Sequence, residues 1–462
     1  MHPYIAKECA LPARLLGTAL LALSMLNTAA YGQITTLHSF TGAPDGSQPA
    51  YVTLAQGRDG QLYGTTSGGG SSGLGSMFRF APQGLELFSL DGTEGITPFG
   101  GVTLRPDGLF CGTAEYGGPS QGAVFSVTSS GAFTLLHSFE GSDGGTPTGA
   151  LATGPDGTCY GLTQYGGANG FGTVYGVSPS GTLTLLHSFS GADGSNPRGG
   201  GLLLTPEGVL FGMTSSGGAH NLGTIFSVSL SGTFKTIADF DGANGSQPAG
   251  TLIRASDGNI YGATNGGGAN GDGTVFQLSS GVPRLTVLHS FGGLDGSAPT
   301  GGLVEATDGN LYGATSGGGA NGDGVIYSIT PSGTFTTIYS FDGVHGTNGN
   351  TLMQHTDGRL YATTYLGGAA GLGTIYSLDL GLGPFVTFVF PSGRAGSSVQ
   401  ILGTGLMGAT AVTFNGVPAA SFTVQSGSFI VATVPTGATT GPVQVTTPGG
   451  TLTSNKSFVV LP

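Results

Sequence analysis

The sequence has no tryptophan, only 8% charged residues and three cysteines. Soluble proteins average about 25% charged residues, so electrostatics contributes unusually little here. Lys and Arg number 12 against 24 acidic residues and form no stripe, which excludes nucleic acid and anionic membrane surfaces as expected partners. No segment sustains a 3.6-residue apolar period, so helix is expected to be nearly absent. The lack of tryptophan argues mildly against strong stacking on sugars. No G-x-S-x-G elbow, H-E-x-x-H or G-x-x-x-x-G-K-[ST] pattern occurs, so no nucleophile, metal or phosphate motif announces itself.

What the chain has instead is 92 glycines and 24 prolines, a quarter of its length. No Gly-x-y triplet runs through it, which excludes collagen. The 38% of hydrophobic residues are periodic, which disfavours disorder.

Residues 1–32 read as a secretory signal. Lys7 and Arg14 supply the positive region, Leu15 to Leu26 the apolar stretch, and Ala30-Tyr31-Gly32 the small residues before Gln33. The apolar stretch falls short of the about 20 residues that span a bilayer. The expected mature chain begins near Gln33, has no transmembrane span, carries a net charge of −13 and leaves the cytoplasm. Loss of Cys9 leaves Cys111 and Cys159, a pair that an oxidising compartment could bridge.

A period of about fifty residues dominates the rest. An L-H-S-F-like block ends at Phe40, Leu90, Phe139, Phe189, Phe240, Phe291 and Phe341, at intervals of 49 to 51 residues. An acidic-Gly turn followed by an aromatic recurs from Asp59/Tyr63 to Asp357/Tyr361, and a Gly-rich loop leads each time to a G-T-V-F/Y-like segment. Each unit holds four apolar segments separated by turn chemistry; in the third these are 149–153, 158–163, 172–178 and 182–189. The expected fold class is all-β: a seven-bladed β-propeller of four-stranded repeats over 33–380, followed by an immunoglobulin-like β-sandwich. The first segment of each repeat is placed innermost and the L-H-S-F segment outermost. The chain then opens on an orphan outer strand, 34–40, and ends its seventh repeat one strand short. Strand 34–40 is expected to complete that last blade and close the ring. Cys111 follows Phe110 whereas Cys159 precedes Tyr160, so the two lie on opposite faces of equivalent strands in adjacent blades. Those faces either stack together or point apart, which leaves a disulfide open; two small buried apolar residues is the favoured reading.

After 379–384 the period stops. Candidate strands follow at 385–390, 398–402, 411–414, 421–424, 429–434, 442–447 and 457–460, with Asn415-Gly416 as a hairpin turn.

The repeats resemble the GloVer tandem repeat of secreted bacterial "choice-of-anchor" proteins, as in Leu136-His-Ser-Phe139, Asp308-Gly-Asn-Leu-Tyr-Gly-Ala-Thr315 and Gly266-Gly-Gly-Ala-Asn-Gly-Asp-Gly-Thr-Val-Phe276. Residues 384–462 resemble an IPT/TIG domain through Pro391-Ser-Gly393, Ile401-Leu-Gly-Thr-Gly405, Val412-Thr-Phe-Asn-Gly416 and Gly441-Pro-Val-Gln-Val-Thr-Thr447. The resemblance implies an extracellular or cell-surface protein and brings no assigned chemistry with it.

A function should break the seven-fold symmetry. Three residues before the acidic-Gly turn, the first strands read Gln56, Leu104, Thr153, Leu204, Arg254, Glu305 and Gln354. Arg254, Glu305, Gln354 and Gln56, with His355 beside Gln354, are therefore the candidate ligand-binding arc of a central channel. The competing reading is a solvated channel with an Arg254–Glu305 ion pair. His38, His137, His187 and His289 repeat in one strand position and do not converge, so no metal site is expected from them. The loop acids Asp45, Glu94, Asp143, Asp193 and Asp295 read as turn formers. Calcium at Asp272 and Asp323 is kept as a weaker alternative, and no other cofactor is expected. Glu115 breaks the repeat, and Tyr116 and Tyr165 could supply the stacking that tryptophan does not. The chain thus reads as a non-catalytic binding or adhesion scaffold, monomeric, with a glycan or protein ligand. The alternatives are an extracellular metal-dependent lyase or lactonase using Glu305 and His355, and a purely structural envelope protein.

Overall fold

The computed structural model describes residues 33–117, 121–281 and 284–462. The expected signal sequence and Cys9 lie outside the described residues. These residues contain strands, turns and bends and no helix, as the glycine turns and missing 3.6 period require.

Among the described residues, seven antiparallel sheets follow the fifty-residue repeat, six of them built in chain order. The third, Gly145–Thr153, Cys159–Tyr165, Thr173–Val177 and Leu183–Ser188, shows the plan. Its middle strands are buried and its last strand is partly exposed. First strands lie against one another through their glycines. A Cβ added to Gly100 would meet Gly149, one on Gly149 would meet Gly200, and the contacts continue through Gly250 and Gly301 to Thr351. These strands are therefore the inner ones.

The seventh sheet combines both ends of the repeat region. Gln33–Ser39 pairs antiparallel with Thr374–Asp379, which continues through Leu360–Leu366 to Thr347–Gly349 and Met353–Gln354. Its first strand, expected as one run over 351–354, is broken in two. Three further contacts join the first repeat to the seventh: the Gln48 N–H donates to the Leu372 carbonyl at 2.8 Å, Asn350 Nδ2 to the Pro49 carbonyl at 2.7 Å, and Gln56 Nε2 to Thr356 Oγ1 at 2.8 Å.

Cys111 and Cys159 face each other between the second and third sheets and are joined as a disulfide, with Cα atoms 6.8 Å apart. Opposite faces of neighbouring sheets stack, so these two side chains meet in one core with Val124, Phe139 and Tyr175.

Two sequence markers turn out to be one interaction. The histidine of the L-H-S-F block bonds through Nε2 to the loop acid of its own repeat: His38–Asp45 at 3.1 Å, His137–Asp143 and His187–Asp193 at 2.9 Å, and His289–Asp295 at 2.8 Å. The Gly-rich loops are anchored by asparagine, with Asn169, Asn270 and Asn321 donating to the carbonyls of Phe189, Phe291 and Phe341.

The acidic-Gly turn is likewise tied to its aromatic. Tyr63, Tyr261, Tyr312 and Tyr361 donate their hydroxyls to Asp59, Asp257, Asp308 and Asp357 at 2.6–2.8 Å. Burial works to raise the Asp257 and Asp357 carboxyls, but the hydrogen bonds they accept, and for Asp357 the neighbouring His355, hold both below the ordinary value. Burial first, and then Asp257, push the Tyr261 hydroxyl up to about 12. A depressed carboxylate stabilises the fold above its unfolded pKa and loses that contribution as the pH falls through its folded pKa. A raised phenol contributes below its unfolded pKa and loses it as the pH rises through its folded one. Tm should therefore be flat between roughly pH 5 and 9, fall below about pH 4 and fall again above about pH 10. Asp257→Asn should shrink the drop between pH 7 and pH 3; an unchanged drop would show that these pairs do not govern it.

The C-terminal residues form two four-stranded sheets. One orders Thr387–Phe388, Ser398–Leu402, Phe429–Thr433 and Ser421–Ser426; the other orders Val417–Pro418, Ala411–Phe414, Val443–Thr447 and Gly450–Thr453. Their common core contains Val399, Ile401, Phe414, Ile430, Val445 and Phe458. The expected strand over 385–390 shrinks to Thr387–Phe388, and Val386 beside it bridges to Ser454 of the other sheet's edge instead. Beyond it Ser392–Arg394 pairs parallel with Val459–Leu461.

Candidate functional site

The first strands have two ends, and the sequence-derived arc lies at the one that the C-terminal sheets cover. There Arg58 Nη2 donates to the Pro106 carbonyl at 2.6 Å and to Gln400 Oε1 at 2.8 Å, with its guanidinium 4.9 Å from the Phe429 ring centre. Leu402 and Phe429 share a core with Tyr63, Leu104 and Phe110. The Thr356 and Thr404 hydroxyls meet at 2.8 Å.

At this end the arc residues act as clasps: Arg254, Glu305, Gln354 and Gln56 each reach the acidic-Gly turn of the preceding repeat, and His355 that of the next. Arg254 binds Glu207 at 3.2 Å, not Glu305 as the ion-pair reading expects. Glu305 accepts from the Ser256 N–H at 2.9 Å and from the Ser256 hydroxyl. Gln354 exchanges two bonds with Thr307 at 3.0 Å, and Gln56 bonds Thr356. His355 donates Nε2–H to the Gly60 carbonyl at 3.1 Å and accepts from the Asp357 N–H. Gln56, Gln354 and His355 come together but are buried and engaged. Arg254 and Glu305 sit at separate turns, and Glu305 lines a cleft of about 450 Å³ between the repeats and the C-terminal residues. The five therefore do not converge on one open ligand site. The reason is register: the third residue before the turn faces the neighbouring turn, not the axis. Glu305 and His355, the pair an enzyme would need, have different partners. Among the described residues no three His, Cys, Asp or Glu side chains gather, and the acids at 272 and 323 occupy a loop position that is Leu74, Phe171, Leu222 and Leu372 in other repeats.

The opposite end is open. The segment that enters each first strand carries there a residue with left-handed φ of 48–57°: Gln48, Thr97, Thr146, Asn196, Gln247, Ala298 and Asn348. Its N–H donates to the Gly-rich loop of the preceding repeat, from Thr97 N to the Leu74 carbonyl round to Asn348 N to that of Asp323. That bond holds a conformation non-glycine residues seldom adopt. Two positions later stand Ala50, Phe99, Thr148, Arg198, Ala249, Thr300 and Asn350. The first and fourth strands are one residue longer and add Tyr51 and Gly199.

These additions shape the mouth. Tyr51, itself at φ 52°, lays its ring against Gly199 of the fourth repeat and pairs with Phe99, ring centres 5.0 Å apart. Two cavities open beside it. One of about 230 Å³ is lined by Tyr51, Asn196, Arg198 and Asn265 among others, and one of about 180 Å³ by Tyr51, Phe99, Arg198, Thr300, Asn350 and Tyr365. At the ends of the second strands stand Glu115 and Tyr116 in the second repeat and Gln164 and Tyr165 in the third, with both tyrosines half exposed. Burial raises the Glu115 carboxyl above its ordinary value against the opposing pull of Tyr116 and Arg198. Glu115 is legible in the sequence as a departure from the repeat, and Tyr116 and Tyr165 as stacking aromatics; no residue-type pattern marks Tyr51, Phe99, Arg198 and Asn350. The extra residue between Pro49 and Asp59, and between Pro197 and Glu207, is the signal for Tyr51 and for Arg198 beside the added Gly199; Phe99 and Asn350 carry no such mark.

The Gloeobacter/Verrucomicrobia repeat matches residues 25–161, 120–307 and 253–440. No curated protein sequence matches the chain. Among solved structures, a fungal alcohol oxidase of the AA5 family in complex with copper is similar at 16% identity and a TM-score of 0.54, over 93% of this chain and 100% of that one. The extracellular domains of two hybrid two-component systems of B. thetaiotaomicron are similar at 14% and 13% identity, with TM-scores of 0.52 and 0.51. They match 93% and 81% of this chain, which spans about half of theirs, 55% and 46%. At these identities the likeness is one of fold: all-β and propeller-like.

Proposed function

Since the chain belongs to the Gloeobacter/Verrucomicrobia repeat family, we propose that it is a secreted or cell-surface binding scaffold whose ligand surface is the open mouth. In this reading residues 33–380 are a seven-bladed propeller closed by strand 34–40, residues 384–462 are an IPT/TIG-type immunoglobulin-like module, and residues 1–32 direct export. The Cys111–Cys159 bond fits an oxidising compartment. The extracellular domains among the structural neighbours support the same placement.

One observation carries the assignment of the mouth: the seven-fold pattern breaks there with aromatic and polar side chains that bound cavities, whereas at the covered end Gln56, Gln354 and His355 are consumed by contacts between repeats and Glu305, beside the cleft, is held by Ser256. Aromatic faces beside convergent polar groups are the ordinary make-up of a ligand site. The ligand classes are glycans and extracellular proteins. Glycan and surface-protein arrays probed with wild type and with the Tyr51→Ala/Phe99→Ala double variant test this. Wild-type signal should fall at least about tenfold in the variant, a loss of about 1.4 kcal/mol, with Tm nearly unchanged. Full binding by the well-folded variant would remove the mouth from consideration.

A further inference from the structure

We infer that the mouth takes an acidic saccharide, a hydroxyl-rich sugar chain bearing a carboxylate, as in the uronates; this rests on the mouth reading above. Two sets of side chains point to complementary halves of such a ligand.

Arg198 supplies the first. It is exposed and lines both cavities. Among the described residues its guanidinium makes no hydrogen bond or ion pair, while every arc residue at the covered end is engaged. The electrostatic neighbour it has is Glu115, whose carboxyl burial raises above its ordinary value against the pull of Tyr116 and Arg198. A planar guanidinium beside a cavity is a fork for a carboxylate.

The second set is made of acceptors. Asn196 Oδ1 and Asn265 Oδ1 in one cavity, and Thr300 Oγ1 in the other, are buried and have no hydrogen-bond partner. Buried polar atoms left unpaired are costly to the fold, so the two amide oxygens mark where a donor is missing and the hydroxyl where a partner of either kind is. Sugar hydroxyls supply donors at several angles around a compact ring, as acceptors spread over two adjoining cavities require. A peptide offers its N–H groups along a line, whereas these atoms stand in two separate cavities. The paired rings of Tyr51 and Phe99 add flat apolar faces between the cavities.

Calorimetric titration of the purified protein with a short oligogalacturonate and with its fully methyl-esterified counterpart tests the inference, because the ester keeps shape and hydroxyls and removes charge. The acid should bind about tenfold more tightly or better, and Arg198→Ala should bring it down to the level of the ester, with Arg198→Lys intermediate and Tm unchanged. Equal binding of both probes, untouched by Arg198→Ala, would overturn the carboxylate assignment and leave the mouth reading standing. Failure of both probes, with an acidic peptide bound through Arg198, would overturn the saccharide. If the Tyr51→Ala/Phe99→Ala variant also keeps whatever ligand the arrays reveal, the mouth reading itself falls.

Discussion

Deletion of Gln33–Ser39 together with Phe40 should lower Tm by about 10 °C or more, or abolish soluble folding. The strand supplies one whole edge of the seventh sheet, with Gln33 opposite Asp379 and Ser39 opposite Thr374. Phe40 is fully buried among Val52, Leu54, Phe78 and Ile375, and its N–H donates to the Gly373 carbonyl at 3.0 Å. Loss of a buried Phe side chain alone costs about 3–5 kcal/mol, and each kcal/mol is worth about 2–4 °C in a chain somewhat smaller than this one. The deletion also leaves Thr374–Asp379 as an open edge, a template for pairing with another molecule. Phe40→Ala should lose roughly half of the shift by differential scanning calorimetry. A chain beginning at Thr41 that melts where one beginning at Gln33 melts would show that the repeats close without the strand.

The vacancy that strand fills was legible because strands have a two-residue period, hairpins have turn chemistry, and both repeat. Seven copies of a hydrophobic block can be counted, and a count ending one strand short at one end and one over at the other points to a join. The same markers hid other facts. His187 and Asp193 belong to two markers, and in the sequence one is a packed histidine and the other a turn acid. Spatial pairing over six residues around a loop has no period to reveal it.

The arc fails for a different reason. A column of equivalent positions shows which repeats depart from the pattern, but not toward which end of the strand the departure points. Gln56 and Gln354 depart toward the neighbouring turn, where an amide can both donate and accept. The C-terminal sheets then close over that end through contacts such as Arg58 with Gln400, which no repeat encodes. Tyr51 and Arg198 depart toward the axis, and a one-residue length difference, not a residue type, marks them. The disulfide lay between these cases: opposite faces of neighbouring sheets were known to be in play, and only stacking decides whether they meet.

Gly149→Ala should be among the most damaging single substitutions in the chain, and Gly170→Ala supplies its control. Both glycines have left-handed φ, 82° and 81°, so both variants incur the same backbone cost of about 1–2 kcal/mol. Nothing lies within 4 Å of a Cβ on Gly170. On Gly149 that atom would stand on the carbonyl of Gly200, backbone that cannot rotate away. The inner strand of the fourth repeat would have to move, and it cannot move alone, because Gly200 in turn abuts the Gly250 carbonyl. Gly170→Ala should therefore lower Tm by a few degrees, and Gly149→Ala by about 10 °C or more. Binding should separate them as well. Gly199 and Arg198 sit on the displaced strand, so Gly149→Ala should weaken any ligand held at the mouth even below its melting range, whereas Gly170→Ala should not. Equal Tm losses for the two would mean that the inner glycines are there for their φ alone. Unequal Tm losses with equal binding would place the ligand away from the axis and detach the mouth from the packing that shapes it.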